Sequence, residues 1–224
     1  MRYLVLASDY DGTLARDGRV DEATLAALTR FLATGRKLIL VTGRELEDML
    51  AIFPHLDLFE RVVAENGALL FRPATQEEKP LAEPPPEKFV RLLRERGVAP
   101  VSVGRVIVAT RQPHENTVLH VIRELGLELQ IIFNKGAVMV LPAGVNKATG
   151  LAAALEELAV APQNVVGIGD AENDHAFLGL CGRGVAVANA LPSLKETADF
   201  VTRGDYGAGV CGLIDELIAS DKAG

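Results

Sequence analysis

The stretch Ser8-Asp9-Tyr10-Asp11-Gly12-Thr13-Leu14 follows an apolar run, Tyr3 to Ala7, and sets two carboxylates two residues apart. If that run is a buried strand, Asp9 and Asp11 project to the same side at its end, and Gly12 lets the chain turn there. Two anions this close need a cation or a proton between them. A Mg²⁺ site fits, with one aspartate a nucleophile and the other a general acid/base. Other stretches supply what phosphoryl transfer would need around such a pair. Thr42, with backbone N–H groups near Gly43, would hold phosphoryl oxygens, and Lys147 would neutralise Asp9 and the transferring group. Asp170 and Asp174 would complete a shell of oxygen ligands, and Asn173 would bond a ligand or orient Asp174. Arg44 and Asn66 join Thr42, Gly43, Lys147 and Asn173 as candidate substrate contacts. In this scheme Asp9 attacks phosphorus, while Asp11 protonates the leaving oxygen and then deprotonates water.

Each residue also has a plainer role. Thr42-Gly43-Arg44 reads equally as a strand-to-helix turn, Lys147 as a solvated lysine at a helix start, and Glu65-Asn66-Gly67 as a turn. Asp174 suits the positive end of a helix dipole. Arg111 and Lys135 read as solvated side chains. Of the histidines only His175 is near the site in sequence, and His55, His114 and His120 read as surface or packing residues without partners. Taken singly, most of these plain roles win. Their order along the chain tips the balance the other way.

The elements that must position these residues alternate between strand and helix. After the opening strand, Asp21 is a fitting N-cap for a helix carrying Leu25, Leu28, Phe31 and Leu32 and ending at Gly35. Lys37 to Val41 is a second buried strand, a helix runs through Met49, and Arg61 to Ala64 is a third strand. Ala68 to Phe71 and Lys79 to Ala82 read as a hairpin or short extension. Beyond an insert, a helix opens at Asn146-Lys147, a strand spans Asn164 to Ile168, and a helix runs from Ala171 to Leu180. Val185 to Val187 and Phe200-Val201 are short strands before a last helix with Val210, Leu213, Ile214 and Leu217. The pattern predicts an α/β fold, a doubly wound parallel sheet whose ligands bind at the carboxyl ends of the strands. The polar clusters sit at such ends.

Glu83-Pro84-Pro85-Pro86 is a stiff linker, because proline is excluded from helix interiors and central strands. From there to Pro142-Ala143-Gly144 the order is helix, two strands, helix, two strands. The expected division is therefore a core of 1–82 and 143–224 and a small α+β module of 83–142. The two proline segments would be hinges.

Composition bounds the partners. The 224 residues carry a net charge of −7, which argues against a general nucleic-acid-binding surface. An acidic protein acting on phosphates needs a metal and placed cations to reverse the local field. No apolar run approaches the roughly 20 residues of a membrane span, and no leader peptide is visible. Cys181 and Cys211 lack metal-ligand spacing, so a reduced, cytoplasmic protein is expected, monomer or homodimer. The chain ends at Ser220-Asp221-Lys222-Ala223-Gly224 after a helix, which leaves a longer polypeptide open.

These motifs resemble those of the haloacid dehalogenase-like phosphatases, within them the Cof-type group with a C2 cap between the second and third motifs. Ser8 to Leu14 matches the first motif, Val41-Thr42-Gly43-Arg44 the second, Lys147 the third, and Gly169-Asp170-Ala171-Glu172-Asn173-Asp174 the fourth. The similarity extends to Glu65-Asn66-Gly67-Ala68 and to Gly184 through Ala190. The resemblance implies Asp9 as nucleophile and Asp11 as acid/base. It implies Mg²⁺ on the Asp9 carboxylate, the Asp11 carbonyl and Asp170, with Asp174 direct or through water. The expected activity is hydrolysis of a small phosphomonoester, of sugar-phosphate or phosphoglycolate type, through an aspartyl-phosphate. Archaeal-type phosphoglycolate phosphatases and sucrose-phosphate phosphatases look similar in architecture. The alternatives are a phosphosugar mutase and a phosphoester-binding or regulatory domain of a larger protein. A signalling receiver shares the residue types but not the Asp-x-Asp-Gly-Thr turn or the insert.

Overall fold

A computed structural model describes residues 2–220. The first half of the core runs β1 (Val5–Ser8), α1 (Glu22–Leu32), β2 (Lys37–Val41), α2 (Leu46–Ile52), β3 (Arg61–Ala64), β4 (Leu69–Arg72) and β5 (Glu77–Pro80). An insert follows, with α3 (Glu87–Glu95), β6 (Ser102–Val103), β7 (Val108–Arg111), α4 (Glu115–Leu125), β8 (Leu129–Asn134) and β9 (Ala137–Pro142). The core resumes with α5 (Lys147–Glu157), β10 (Val165–Gly169), α6 (His175–Leu180), β11 (Arg183–Ala186), α7 (Pro192–Thr197), β12 (Phe200–Val201) and α8 (Tyr206–Ser220).

Among these residues eight strands form one sheet in the order β12-β11-β10-β1-β2-β3-β4-β5. The strands from β12 to β3 pair in parallel, and β4 and β5 extend the edge antiparallel. β1 is central and wholly buried, as a short apolar run covered on both faces should be. The chain winds from β1 through β2 to β3 on one side and through β10 to β12 on the other. The sheet order therefore reverses beside β1, which opens a crevice at the carboxyl ends of its strands.

Local chemistry sets the helix starts. The Asp21 side chain accepts from Thr24 N at 2.7 Å and caps α1, as its position predicts. Asn146 and Thr149 form a capping box that fixes the first turn of α5, where Lys147 stands. That turn is seated on Gly67, whose φ is +104°, and a Cβ at Gly67 would collide with the Asn146 carbonyl. The far end of α5 is pinned by charge. Glu157 accepts from Arg61 at 2.9 Å, Arg72 at 3.2 Å and Lys79 at 3.0 Å, one from each of β3, β4 and β5. This accounts for a charged Arg61 in a buried strand.

The Lys79 hydrogen bond, with those of Arg61 and Arg72, holds the Glu157 carboxyl down at about 2. A depressed folded pKa contributes stability above the unfolded value and loses it as pH falls through the folded one. Glu157→Gln should therefore cost about 1–2 kcal/mol at pH 7 after solvent screening. The difference from wild type should shrink between pH 4.5 and about 2 in urea titrations. A difference independent of pH would remove the ion pairs as its cause.

The insert is the expected helix-strand-strand-helix-strand-strand module. Its sheet has the order β6-β7-β9-β8, and one face packs on α3 and α4 through Phe89, Leu93, Val118, Val121, Val138 and Val140. The opposite side meets the core where Val106, Ile107, Met139 and Leu141 close on Ala68. Three local expectations change. The helix expected over Ala171 to Leu180 is a 3-10 turn, Glu172–Asp174, followed by α6, because the Asp174 carboxylate folds back onto the N–H groups of Asp170 and Ala171. The strand expected at Val185 to Val187 begins two residues earlier, set by parallel pairing with β10. The helix α7, opened by Pro192, has no counterpart among the expected elements. Among the described residues no helix is long and apolar enough to cross a membrane, and Cys181 and Cys211 are free thiols.

Candidate active site

Register brings three of the sequence clusters together. Ser8 pairs with Leu40 on β2 and with Ile168 on β10, so the residues just beyond these strands lie within one residue of the same level. Asp9, Thr42 and Asp170 thus follow three adjacent parallel strands. Asp9 N donates to Ile168 O at 3.0 Å, which continues the ladder to the nucleophile candidate itself. Gly12, at φ +93°, turns the chain back tightly against Asp170, where a Cβ would strike the Asp170 carboxylate. Asn189 holds that turn by donating to Gly12 O at 2.8 Å.

Lys147 is 1% exposed, and its Nζ lies 2.6 Å from Asp9 Oδ1 and 2.6 Å from Asp174 Oδ1. Asp174 Oδ2 accepts from Asp170 N at 2.8 Å and Ala171 N at 3.0 Å. Asp174 therefore spends both oxygens on order, one on the lysine and one on the turn. Burial pushes the Asp9 carboxyl up to about 8; Lys147 opposes that rise, and the charges of Asp174 and Asp170 add to it. Burial works against the Lys147 charge, but the two carboxylates outweigh it and hold the ammonium above its ordinary range. The site gathers three buried carboxylates, Asp9, Asp170 and Asp174, around one buried ammonium, Lys147.

The polar rim is organised around Asp11. Arg44 clasps its carboxylate with two hydrogen bonds, Nε at 2.5 Å and Nη2 at 2.8 Å. Arg44, expected at the substrate, is thus committed to the acid/base candidate, as a planar guanidinium matches a carboxylate. Thr42 is buried, and its Oγ1 accepts from Arg44 N at 3.1 Å. Asn173 Nδ2 donates to Asn66 Oδ1 at 2.8 Å, which joins the two candidate amides. Gly43 faces both amides and Met139 of the insert.

The chain's similarity to known proteins follows this geometry. Residues 6–103 and 131–214 match the family of haloacid dehalogenase-like hydrolases. The chain belongs to that family. This haloacid dehalogenase-like protein is 31% identical over 225 residues to phosphoglycolate phosphatase 2 of Saccharolobus solfataricus, covering 97% of this chain and 94% of the relative. It is 33% identical over 214 residues to the phosphoglycolate phosphatase of Methanothermobacter thermautotrophicus, with 92% and 94% covered. Among solved structures, a haloacid dehalogenase-like hydrolase from Bacteroides thetaiotaomicron superposes with a TM-score of 0.81 at 18% identity, over 96% of this chain and 99% of that one. Protein 0175 of Thermoplasma acidophilum gives 0.80 at 20% identity, over 96% and 98%. These two likenesses establish the fold. The family and its relatives make this protein a phosphatase, a phosphoric monoester hydrolase of the haloacid dehalogenase type.

One ligand oxygen from each of Asp9, Asp170 and Asp174 lies within 4.8 Å of the others. Asp170 Oδ1 is buried without a hydrogen-bond partner, and burial raises the Asp170 carboxyl as it does Asp9. A divalent cation would relieve both, so the residues fit one.

Three placements at the site and its border with the insert are invisible along the chain. Lys135, which reads as solvated, reaches from the β8–β9 turn and places Nζ 2.6 Å from Asp170 Oδ2 and 3.4 Å from the Asp11 carbonyl. Glu65, which reads as part of a turn, is fully buried and accepts from Arg105 N, Val106 N and Ile107 N at 2.7 to 2.9 Å. It ties the core to the insert. Arg111, which also reads as solvated, lines the cleft above Asp9 and Asp11. Only the Asn134-Lys135-Gly136 turn signal hints that a cation sits at a hairpin tip. The histidines stay outside the site. His175 Nδ1 lies 3.1 Å from Thr197 Oγ1, and His114 Nε2, expected without a partner, is 3.1 Å from Ala99 O. The His55 ring meets Phe53 edge-on.

Proposed function

We propose that this phosphatase is Mg²⁺-dependent and hydrolyses a small phosphomonoester of phosphoglycolate or sugar-phosphate type through an aspartyl-phosphate on Asp9. The observation that carries the reading is the buried Lys147 ammonium bridging Asp9 and Asp174 at the carboxyl ends of adjacent parallel strands. Such a lysine neutralises the nucleophile and then the phosphoryl group it receives.

An Asp9 carboxylate oxygen attacks phosphorus as the ester P–O bond breaks, and Asp11, protonated on one oxygen and held by Arg44 through the other, gives that proton to the departing oxygen. Asp11, now a carboxylate, takes a proton from the water that attacks the aspartyl-phosphate. The bond to Asp9 breaks, inorganic phosphate leaves, and both aspartates are restored. Arg44 orients Asp11, while Thr42, the Gly43 backbone, Asn66 and Asn173 receive phosphoryl oxygens. Asp9, the Asp11 carbonyl and Asp170 would hold the ion, and Asp174, with both oxygens engaged, would act through water. Bound there, Mg²⁺ supplies charge stabilisation to the transferring phosphoryl group. Lys135 stands on Asp170 Oδ2, which would leave Oδ1 for the ion.

Residues 1–82 and 143–224 form the catalytic core in this reading, and residues 83–142 act as a cap that excludes water. The protein is placed in the cytoplasm, as a monomer or homodimer, with no nucleic-acid or membrane partner. The test is phosphate release from a panel of phosphomonoesters, with Mg²⁺ and after chelation. Turnover of small esters that stops on chelation is expected. No turnover of any ester by folded, Mg²⁺-loaded protein would move the assignment to a binding domain, and phosphoryl return to the same sugar would move it to a mutase.

A further inference from the structure

A cleft of about 400 Å³ lies between the catalytic aspartates and the sheet of the insert. Pairing fixes which insert side chains face it. Arg111 on β7 stands directly opposite Ala137 on β9, and Ala137 opposite Asn134 on β8. Directly opposed residues project to the same face, with Cβ atoms about 5 Å apart. Val138 and Val140, the alternate positions on β9, point away into the packing with α3 and α4. The result is a row, guanidinium, methyl, amide, in which the small Ala137 leaves a gap between two polar arms. All three residues line the cleft.

The charges in that cleft are unbalanced. Asp9, Asp11, Glu45 and Asp48 are its acids, and Arg44 and Arg111 are its cations. Arg44 is spent on Asp11. Among the described residues the Arg111 guanidinium makes no hydrogen bond or ion pair, and Arg111 is exposed. Asn134 Oδ1, at the other end of the row, is buried without a hydrogen-bond partner. A buried polar atom without a partner calls for a ligand or water, and its amide can offer an acceptor or, turned over, a donor. No aromatic ring lines the cleft among the described residues, so nothing there would stack on a large ring.

We propose that Arg111 is a specificity-determining residue that binds a carboxylate at the far end of the substrate, so that short phosphorylated carboxylic acids are the preferred esters. This rests on the phosphatase reading above and adds the chemistry of the end remote from phosphorus. A second anion entering an acidic cleft is repelled unless an unspent cation meets it, and a guanidinium fork matches a carboxylate with two parallel hydrogen bonds. An ester with an uncharged tail has no use for that cation. Asn134 donates to the same carboxylate from across Ala137.

The test is steady-state phosphate release, with Mg²⁺, by wild type, Arg111→Met and Arg111→Lys. The two esters are phosphoglycolate and 2-hydroxyethyl phosphate, which replaces the carboxylate by a neutral hydroxymethyl group. Wild type is expected to favour phosphoglycolate in kcat/KM by about tenfold or more. Arg111→Met should raise KM for phosphoglycolate about 10- to 100-fold, with kcat changed by no more than about threefold. The loss on the neutral ester should stay within about threefold, and Arg111→Lys should recover part of the KM. Equal losses on both esters, an unmoved KM for phosphoglycolate, or a wild type indifferent to the carboxylate overturns the assignment of Arg111 while leaving the phosphatase reading standing. Failure of wild type to turn over either ester is the separate failure of that reading, and it takes this one with it.

Discussion

With Asp9 replaced by Asn, phosphate release is expected to fall by about 10⁴-fold or more on every ester. The amide keeps the shape of the carboxylate but has no anionic oxygen to attack phosphorus. Acid-quenched wild type should carry phosphate on the chain during turnover, and Asp9→Asn should carry none. Retention of a few per cent of activity would remove Asp9 as the nucleophile. The same variant has a stability signature. Asp9 is pushed up to about 8, chiefly by burial, from 3.8. A raised folded pKa contributes stability that is complete below the unfolded value and is lost as pH rises through the folded one. Metal-free wild type should therefore lose stability between pH 3.8 and about 8, and Asp9→Asn should lose less over that window. A cation competes with that proton, so stabilisation of wild type by Mg²⁺ should grow from pH 6 to pH 8, read as the shift in Tm. Equal pH profiles for the two proteins would show that burial does not hold Asp9 as described.

The second large effect belongs to Lys147. Lys147→Met leaves Asp9 and Asp174 buried beside each other without their shared ammonium. Breaking a buried ion pair from one side costs about 3–5 kcal/mol, because the remaining charge is uncompensated. Urea unfolding at pH 8 should show that loss, and the loss should shrink toward pH 5 as Asp9, pushed up to about 8 by burial, takes a proton in the folded state. On the proposed mechanism activity should fall about 10³-fold at any pH, since that mechanism sets the lysine charge against the transferring phosphoryl group. Adding Asp174→Asn to Lys147→Met should return part of the stability and none of the activity. An unchanged unfolding midpoint in the single variant would mean that the lysine is not the counter-ion of this pair. The capping box at Asn146 is untouched by either change, so α5 should still form.

What the amino-acid order determined by itself is local. The apolar runs ending in Ser8, Val41, Ala64 and Gly169 become parallel strands because short runs rich in branched apolar residues must be covered on both faces. Alternation with helices then puts Asp9, Thr42 and Asp170 at neighbouring carboxyl ends. The caps at Asp21 and Asn146 were legible for the same reason, since each depends on residues a few positions apart.

The partners of the charged groups were settled only by tertiary structure. Lys147 looks like any exposed lysine at a helix start until α5 is laid on Gly67, 80 residues earlier in the chain, which carries its side chain under Asp9. Asp174 looks like a helix-dipole acid and instead divides itself between that lysine and two backbone N–H groups. Lys135, Glu65 and Arg111 have the local setting of turn or surface residues, yet one reaches Asp170, one holds the loop of the insert, and one faces the cleft. Spacing along the chain dictates which face of its own element a side chain occupies. Which charge it meets there depends on how closely elements distant in sequence are packed, and burial then multiplies the strength of whatever pair results.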